Sequence, residues 1–156
     1  MLRYLAILAL VLPIRAAIAG PAVEGLWLTQ DHDGVIAVAP CETGDGKLCA
    51  RIEGVILDHA NDPTPVDYRG VSQCRLPLIT DATQVEPNLW KGHITNPRNG
   101  DVWRVELYLE RDGNLALRGY LGVPLLGQTQ TWTRYDGKVP DDCRLTKPSD
   151  GDVVTR

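Results

Sequence analysis

The strongest constraint in this chain is the run from Val102 to Glu110, where Trp103, Val105, Leu107 and Leu109 alternate with Arg104, Glu106, Tyr108 and Glu110. Successive side chains of a strand leave opposite faces, so this run describes an antiparallel strand with one face in a core and one in water. Its neighbours, Trp90 to Thr95, Asn114 to Tyr120 and Leu126 to Tyr135, share the period or a β-rich composition. Asn99-Gly100 and Asp112-Gly113 supply the positive-φ residues that tight hairpins need. From Trp90 to Tyr135 the chain is therefore a β-meander.

The preceding residues add strands. Val23 to Gln30 and Val35 to Ala39 flank the turn Asp31-His32-Asp33-Gly34, and Pro40 ends the second of them. After a polar loop, Leu48 to Leu57 sets Leu48, Ala50, Ile52 and Ile56 against Arg51 and Glu53, with Gly54 a bulge candidate. Asp58 to Gly70, with Pro63 and Pro65, predicts a long loop. Arg75 to Thr80 predicts a short strand, placed by Pro77 at an edge or bulge, and a turn then covers Asp81 to Asn88. No stretch repeats apolar residues at i, i+3 and i+4 over a dozen positions, so the fold class is all-β. About eight short antiparallel strands close as an up-and-down barrel, which removes both sheet edges; a sandwich is the alternative. The charged outer faces, Arg51, Glu53, Arg104, Glu106 and Glu110, oppose a membrane barrel.

Residues 1–19 read as a signal peptide: basic Met1-Leu2-Arg3, apolar Tyr4 to Ile14, and Ala17-Ile18-Ala19 before the cut. The apolar run is too short to span a bilayer, and Gly20 replaces the cysteine of a lipoprotein, so the mature chain is expected to be periplasmic or secreted and not membrane-spanning. Residues 20–136 form a single barrel domain, and residues 137–156 a polar tail, largely loop or disordered. Loss of Arg3 and Arg15 takes the formal charge from −4 to −6, which opposes binding nucleic acid through its phosphates.

Export suits the four cysteines, an even set. Zinc is the rival, but no Cys-x-x-Cys spacing is present and no histidine adjoins a cysteine. Cys41 and Cys49 flank one hairpin loop, so strand pairing brings them together and leaves Cys74 to Cys143. Other chemistry is sparse. Asp31-His32-Asp33 and the Asp58-His59, Asp62, Asp67 set suggest metal ligands, but turn and loop chemistry explains both. Ser72 and Ser149 lack a nucleophile elbow, Gly119 to Gly127 lacks the lysine and helix of a phosphate loop, and nothing pairs Glu24, Asp45, Glu53 or Glu106 for hydrolysis. No catalytic residue, metal or cofactor is expected.

Gly25-Leu26-Trp27, Cys41 to Cys49 with Arg51-Ile52, the Asn96-Pro97 and Asn99-Gly100 turn, Arg118 to Gly122 and Gly127 to Arg134 resemble the exported bacterial family called domain of unknown function 2147, over residues 24–135. Trp103 stands where that family usually has tyrosine. The resemblance implies a calycin or lipocalin-like barrel, in which Arg134 packs across Trp27 and joins the last strand to the first. It implies no activity. The residues alone permit two phases for 126–135; facing Arg134 to Trp27 puts Gln128, Gln130 and Trp132 inside, whereas the reverse phase lines the interior with Thr129, Thr131 and Thr133. An eight-stranded barrel is either filled by side chains or holds one small ligand. The lumen candidates are Trp27, Trp103, Leu107, Leu117, Gln128, Gln130 and Trp132. The expected function is non-enzymatic binding of a small amphipathic or hydrophobic ligand in the cell envelope. The alternatives are a filled barrel acting through surface loops such as 58–73, and, third, a hydrolase.

Overall fold

The computed structural model describes residues 23–148, so the expected signal segment and the end of the tail lie outside the described residues. Nine strands form one sheet: β1 (Gly25–Leu28), β2 (Gly34–Pro40), β3 (Leu48–Leu57), β4 (Pro77–Glu86), β5 (Leu89–Thr95), β6 (Val102–Leu109), β7 (Leu115–Tyr120), β8 (Gln128–Arg134) and β9 (Arg144–Thr146). Each of β1 to β8 pairs antiparallel with its neighbour in sequence, and β8 returns to β1, closing an eight-stranded up-and-down barrel. Closure pairs both edges of the sheet, over a short stretch between β1 and β8. Gly100 and Gly113 hold the positive φ expected of the hairpin turns.

Two elements differ from the sequence reading. β4 continues to Glu86, and the turn contracts to Pro87-Asn88 between β4 and β5. β-Branched Thr80, Thr83 and Val85 favour extended backbone, and register shifts between Ile79 and Glu86 bend the strand over the barrel rim. Within the tail, Arg144–Thr146 is a strand, pairing parallel with Val55–Leu57. Its anchor is charge-assisted: the Arg144 guanidinium donates to Thr64 Oγ1 (2.6 Å), Asp62 O (2.7 Å) and Ala60 O (2.8 Å). Gly54 makes room for it, because a Cβ there would stand 3.1 Å from Val139 Cγ1 and Leu145 Cδ1. The expected bulge lies beside Gly54, where pairing shifts between Val35↔Gly54 and Ile36↔Ile52.

Both disulfides pair as the loop geometry predicts. Cys41–Cys49 closes the β2–β3 loop with Cα atoms 4.9 Å apart, and Cys74–Cys143 ties the end of the long loop to the tail at 5.7 Å.

The inward faces meet at one end of the barrel, where Trp27, Leu48, Trp90, Leu107, Leu115 and Trp132 are buried. Trp27 donates its indole N–H to Val23 O (2.9 Å), and the Arg134 guanidinium carbon stands 4.0 Å from the Trp27 ring centroid. Arg134 Nη1 also donates to Glu24 O (2.6 Å), so one side chain spans the seam between first and last strands. A cation over an indole face contributes about 0.5–2 kcal/mol. Gly25 permits the arrangement: its φ is +127°, and any Cβ would collide with the Arg134 guanidinium.

Candidate functional site

The opposite end of the barrel is not filled. The β1–β2 turn, the 58–76 loop, the β5–β6 turn and the 121–127 loop surround it, and a cavity of about 500 Å³ enters between them. Its apolar wall comes from Ile36, Ile52, Leu78, Ile94, Leu117 and Trp132, with Trp103 at the side. Strand pairing sets Ile94 opposite Trp103 and Ile36 opposite Ile52, so the members of each pair share a face.

β8 supplies the polar wall. Leu115↔Trp132, Leu117↔Gln130 and Gly119↔Gln128 are paired, so Trp132, Gln130 and Gln128 share the inward face with Arg134. The Gln130 carboxamide oxygen accepts from Trp132 Nε1 at 3.0 Å, which leaves its N–H groups for another acceptor. Gly119 adds volume, since nothing stands within 4 Å of where its Cβ would be.

The cavity also opens sideways. β1 and β8 pair only at Trp27↔Arg134 and Leu28↔Thr133, after which the Gln30 side chain takes over and accepts from Thr131 N at 3.0 Å. Thr29, Gln30, Gln128, Thr129 and Gln130 border this gap. The charged groups of the lining, Asp31, Asp33 and Arg98, stand at the mouth, where Arg98 Nη2 approaches Asp33 Oδ2 at 3.8 Å. The interior is thus apolar, the neutral carboxamides of Gln128 and Gln130 stand exposed along its open side, and its charge is confined to the rim.

Of the predicted lumen residues, the structure brings Trp103, Leu117, Gln128, Gln130 and Trp132 to the cavity. Trp27 and Leu107 lie elsewhere: Trp27 is packed under Arg134, and Leu107 opposite Trp90, both in the filled end. Gly92 faces inward but leaves no space, because β4 crosses over it and a Cβ would stand 2.9 Å from Ala82 Cα. Sequence reasoning missed Ile36, Ile52, Leu78 and Ile94. Ile94 was within reach, since the Asn99-Gly100 hairpin sets it opposite Trp103.

The rival chemistries find other employment. Asp33 closes its turn by accepting from Thr29 Oγ1 (2.8 Å), Asp62 accepts from His59 N (2.8 Å), and Ser72 Oγ accepts from Cys74 N (3.2 Å). Glu53 is held by Arg51 and Arg75, Glu106 by Lys91, and Asp45 by Lys47. Among the described residues, no three of His, Cys, Asp and Glu gather where they could hold a metal ion.

A closed eight-stranded up-and-down barrel, plugged by tryptophans at one end and hollow at the other, is a lipocalin-like fold. The solved structure of Helicobacter pylori protein HP1028, described as belonging to the lipocalin family, is similar to it with a TM-score of 0.59 at 19% identity, over 72% of this chain and 82% of that one. At that identity the likeness is one of fold. The chain belongs to the bacterial family of uncharacterised proteins designated DUF2147, whose sequence profile matches residues 25–134. No curated protein matches the sequence.

Proposed function

We propose that this protein is a non-enzymatic exported binding module that takes one small amphipathic molecule into the open end of its barrel. The observation that carries the proposal is the cavity of about 500 Å³, with isoleucine, leucine and tryptophan on one side and the Gln128 and Gln130 carboxamides on the other. Volumes of this size suit one small ligand, and apolar walls with a few placed polar groups give both affinity and orientation. Neutral carboxamides fit a hydroxyl, carbonyl or amide on the ligand, because burying an ionised group beside them would leave its charge unpaired. Two disulfides support service outside the cytoplasm. What favours this reading over a filled barrel acting through its surface loops is the open volume beside Gly119 and Ile94.

The test is titration with phenylnaphthylamine, an apolar dye whose emission rises on leaving water, followed by displacement with fatty-acid-like and isoprenoid compounds. Wild type is expected to enhance the dye's emission saturably, and Ile94→Trp, which fills the cavity from β5, to reduce uptake about tenfold. Equal uptake by a correctly folded Ile94→Trp variant would place binding outside the lumen and defeat the proposal.

A further inference from the structure

The loop that joins β7 to β8 carries the most exposed aliphatic side chains among the described residues. Leu125 is 86% exposed and Leu126 78%, with Leu121 at 60% and Val123 at 55%. The sequence Leu121-Gly122-Val123-Pro124-Leu125-Leu126 has no charged residue, and none occurs between Arg118 and Arg134. Apolar side chains gathered at such exposure mark a surface that water is meant to leave.

The loop is also built to hold them out. Pro124–Leu126 is a 3-10 turn, in which Leu126 N donates to Val123 O (3.2 Å) and Gly127 N to Pro124 O (2.9 Å). From β7, Arg118 Nε donates to Pro124 O (2.8 Å) and Nη2 to Leu125 O (3.3 Å), while from β6 Arg104 Nη1 donates to Gly122 O (3.4 Å). Gly122, Val123, Pro124 and Leu125 therefore all have their carbonyls satisfied within the protein. That matters little in water, which would supply the donors, but in a hydrocarbon environment each unsatisfied carbonyl is costly.

We infer that loop 121–127 is a membrane-docking tip, which inserts its leucines into the surface of a lipid bilayer and holds the barrel mouth against it. Three observations favour lipid over a protein partner. The exposed set is aliphatic throughout, whereas protein interfaces concentrate aromatic residues in their cores. The tip projects between Gly119 and Gln128, both of which line the cavity, so insertion brings the mouth and its lateral gap to the bilayer. Cations flank the apolar tip, Arg118 and Arg104 at its base and Arg98 on the rim, and positive charge beside an apolar insertion suits a surface that carries lipid phosphates. Asp31 and Asp33 across the mouth limit the electrostatic part, so apolar insertion dominates. This inference concerns where the barrel works and stands independently of what its lumen holds.

The experiment is flotation of the purified protein with vesicles of phosphatidylethanolamine containing a minor share of phosphatidylglycerol, comparing wild type with the double variant Leu125→Glu, Leu126→Glu. Both side chains are exposed, so the variant should keep the wild-type thermal midpoint. Wild type is expected to float with the vesicles in low and high salt, and the double variant to lose at least about tenfold in the floated fraction. Any N-terminal apolar segment is common to both proteins, so the difference reports the loop. Wild type remaining below the vesicles, or equal flotation of the two, would overturn the inference. So would a wild-type dimer that the double variant dissolves, measured by light scattering, since a second copy would then be the loop's occupant. Neither leucine lines the cavity, so dye uptake by the double variant should match wild type. Loss of docking and loss of lumen binding are thereby read separately.

Discussion

The two ends of the barrel are held by different forces. At the closed end, Trp27, Trp90, Trp132, Leu107 and Leu115 pack against one another, and Arg134 clamps the seam from above. At the open end the interior is hollow and the surrounding loops are fastened by charge: Asp67 to Arg69, Glu53 to Arg75, Asp58 to Lys147, and Arg144 to the carbonyls of the long loop. Burial of apolar surface is non-directional and indifferent to pH, whereas ion pairs are weak in water and titrate. The difference teaches how a small barrel keeps a cavity: one end supplies the stability, so the other need not fill itself.

The largest test of that division uses two leucines on one strand. Leu115 is 0% exposed in the filled end, and Leu117, two residues on, is 6% exposed and lines the cavity. Truncating a buried leucine removes its transfer free energy and adds a cost for the void, so Leu→Ala changes span about 2–5 kcal/mol. Leu115→Ala is expected near the top of that range, because it opens a new hole among close-packed tryptophans. Leu117→Ala is expected near the bottom, because its side chain already borders open volume. Denaturant unfolding of both variants measures the difference, and equal losses would erase the distinction between the ends.

A smaller contrast comes from the inward glycines Gly92 and Gly119, each of which pairs with Val105 from opposite sides. Gly92→Ala forces its Cβ to 2.9 Å from Ala82 Cα and should cost about 1–3 kcal/mol through overpacking. Gly119→Ala meets nothing within 4 Å, so stability should hold or rise by up to about 1 kcal/mol as the unfolded chain loses freedom. Thermal unfolding distinguishes the two outcomes. A destabilised Gly119→Ala would mean that the cavity closes around that position in solution.

The same division explains what could be read from sequence. The meander was legible because its alternation and Asn-Gly and Asp-Gly turns are local signals that agree, and the Cys41–Cys49 bridge because a hairpin implies it. The inward phase of β8 was not legible from β8 alone, whose glutamines and threonines alternate as polar against polar. It became so only through Arg134 and Trp27, a contact between chain ends. β9 and the full length of β4 were missed because their determinants are remote: Arg144 binds a loop about eighty residues earlier, and β4 is bent over Gly92. Cavity walls such as Ile52 and Leu78 were hidden among other buried apolar residues, since periodicity separates inside from outside but does not separate a packed end from a hollow one.

The last prediction concerns acid. Partial burial alone would raise the Glu53 pKa, but the Arg51 and Arg75 guanidinium groups outweigh it and hold the carboxyl below its ordinary 4.5. For Asp67, burial likewise opposes ionisation, and the backbone N–H groups of Val71 and Arg69 with the Arg69 side chain carry it below its ordinary 3.8. A carboxylate whose folded value is depressed contributes stability that is fully present above its unfolded value and is lost as pH falls through the folded one. Both groups fasten the 58–76 loop, Glu53 by gripping Arg75 and Asp67 by accepting from Val71 N at 2.9 Å. Acidification from 4.5 to below 3.8 should therefore loosen this loop first, while the filled end, whose strands are held by apolar packing and whose paired carboxylate Asp45 lies exposed in the β2–β3 loop, stays closed. Hydrogen exchange, corrected for the intrinsic effect of pH, should accelerate at amides 67–76 and remain protected at 105–107 and 115–117. Glu53→Gln should show the loosening already at neutral pH, with a global loss below about 1 kcal/mol because the pair lies at the surface. Simultaneous exposure of both amide groups in acid would show instead that the two ends unfold as one unit.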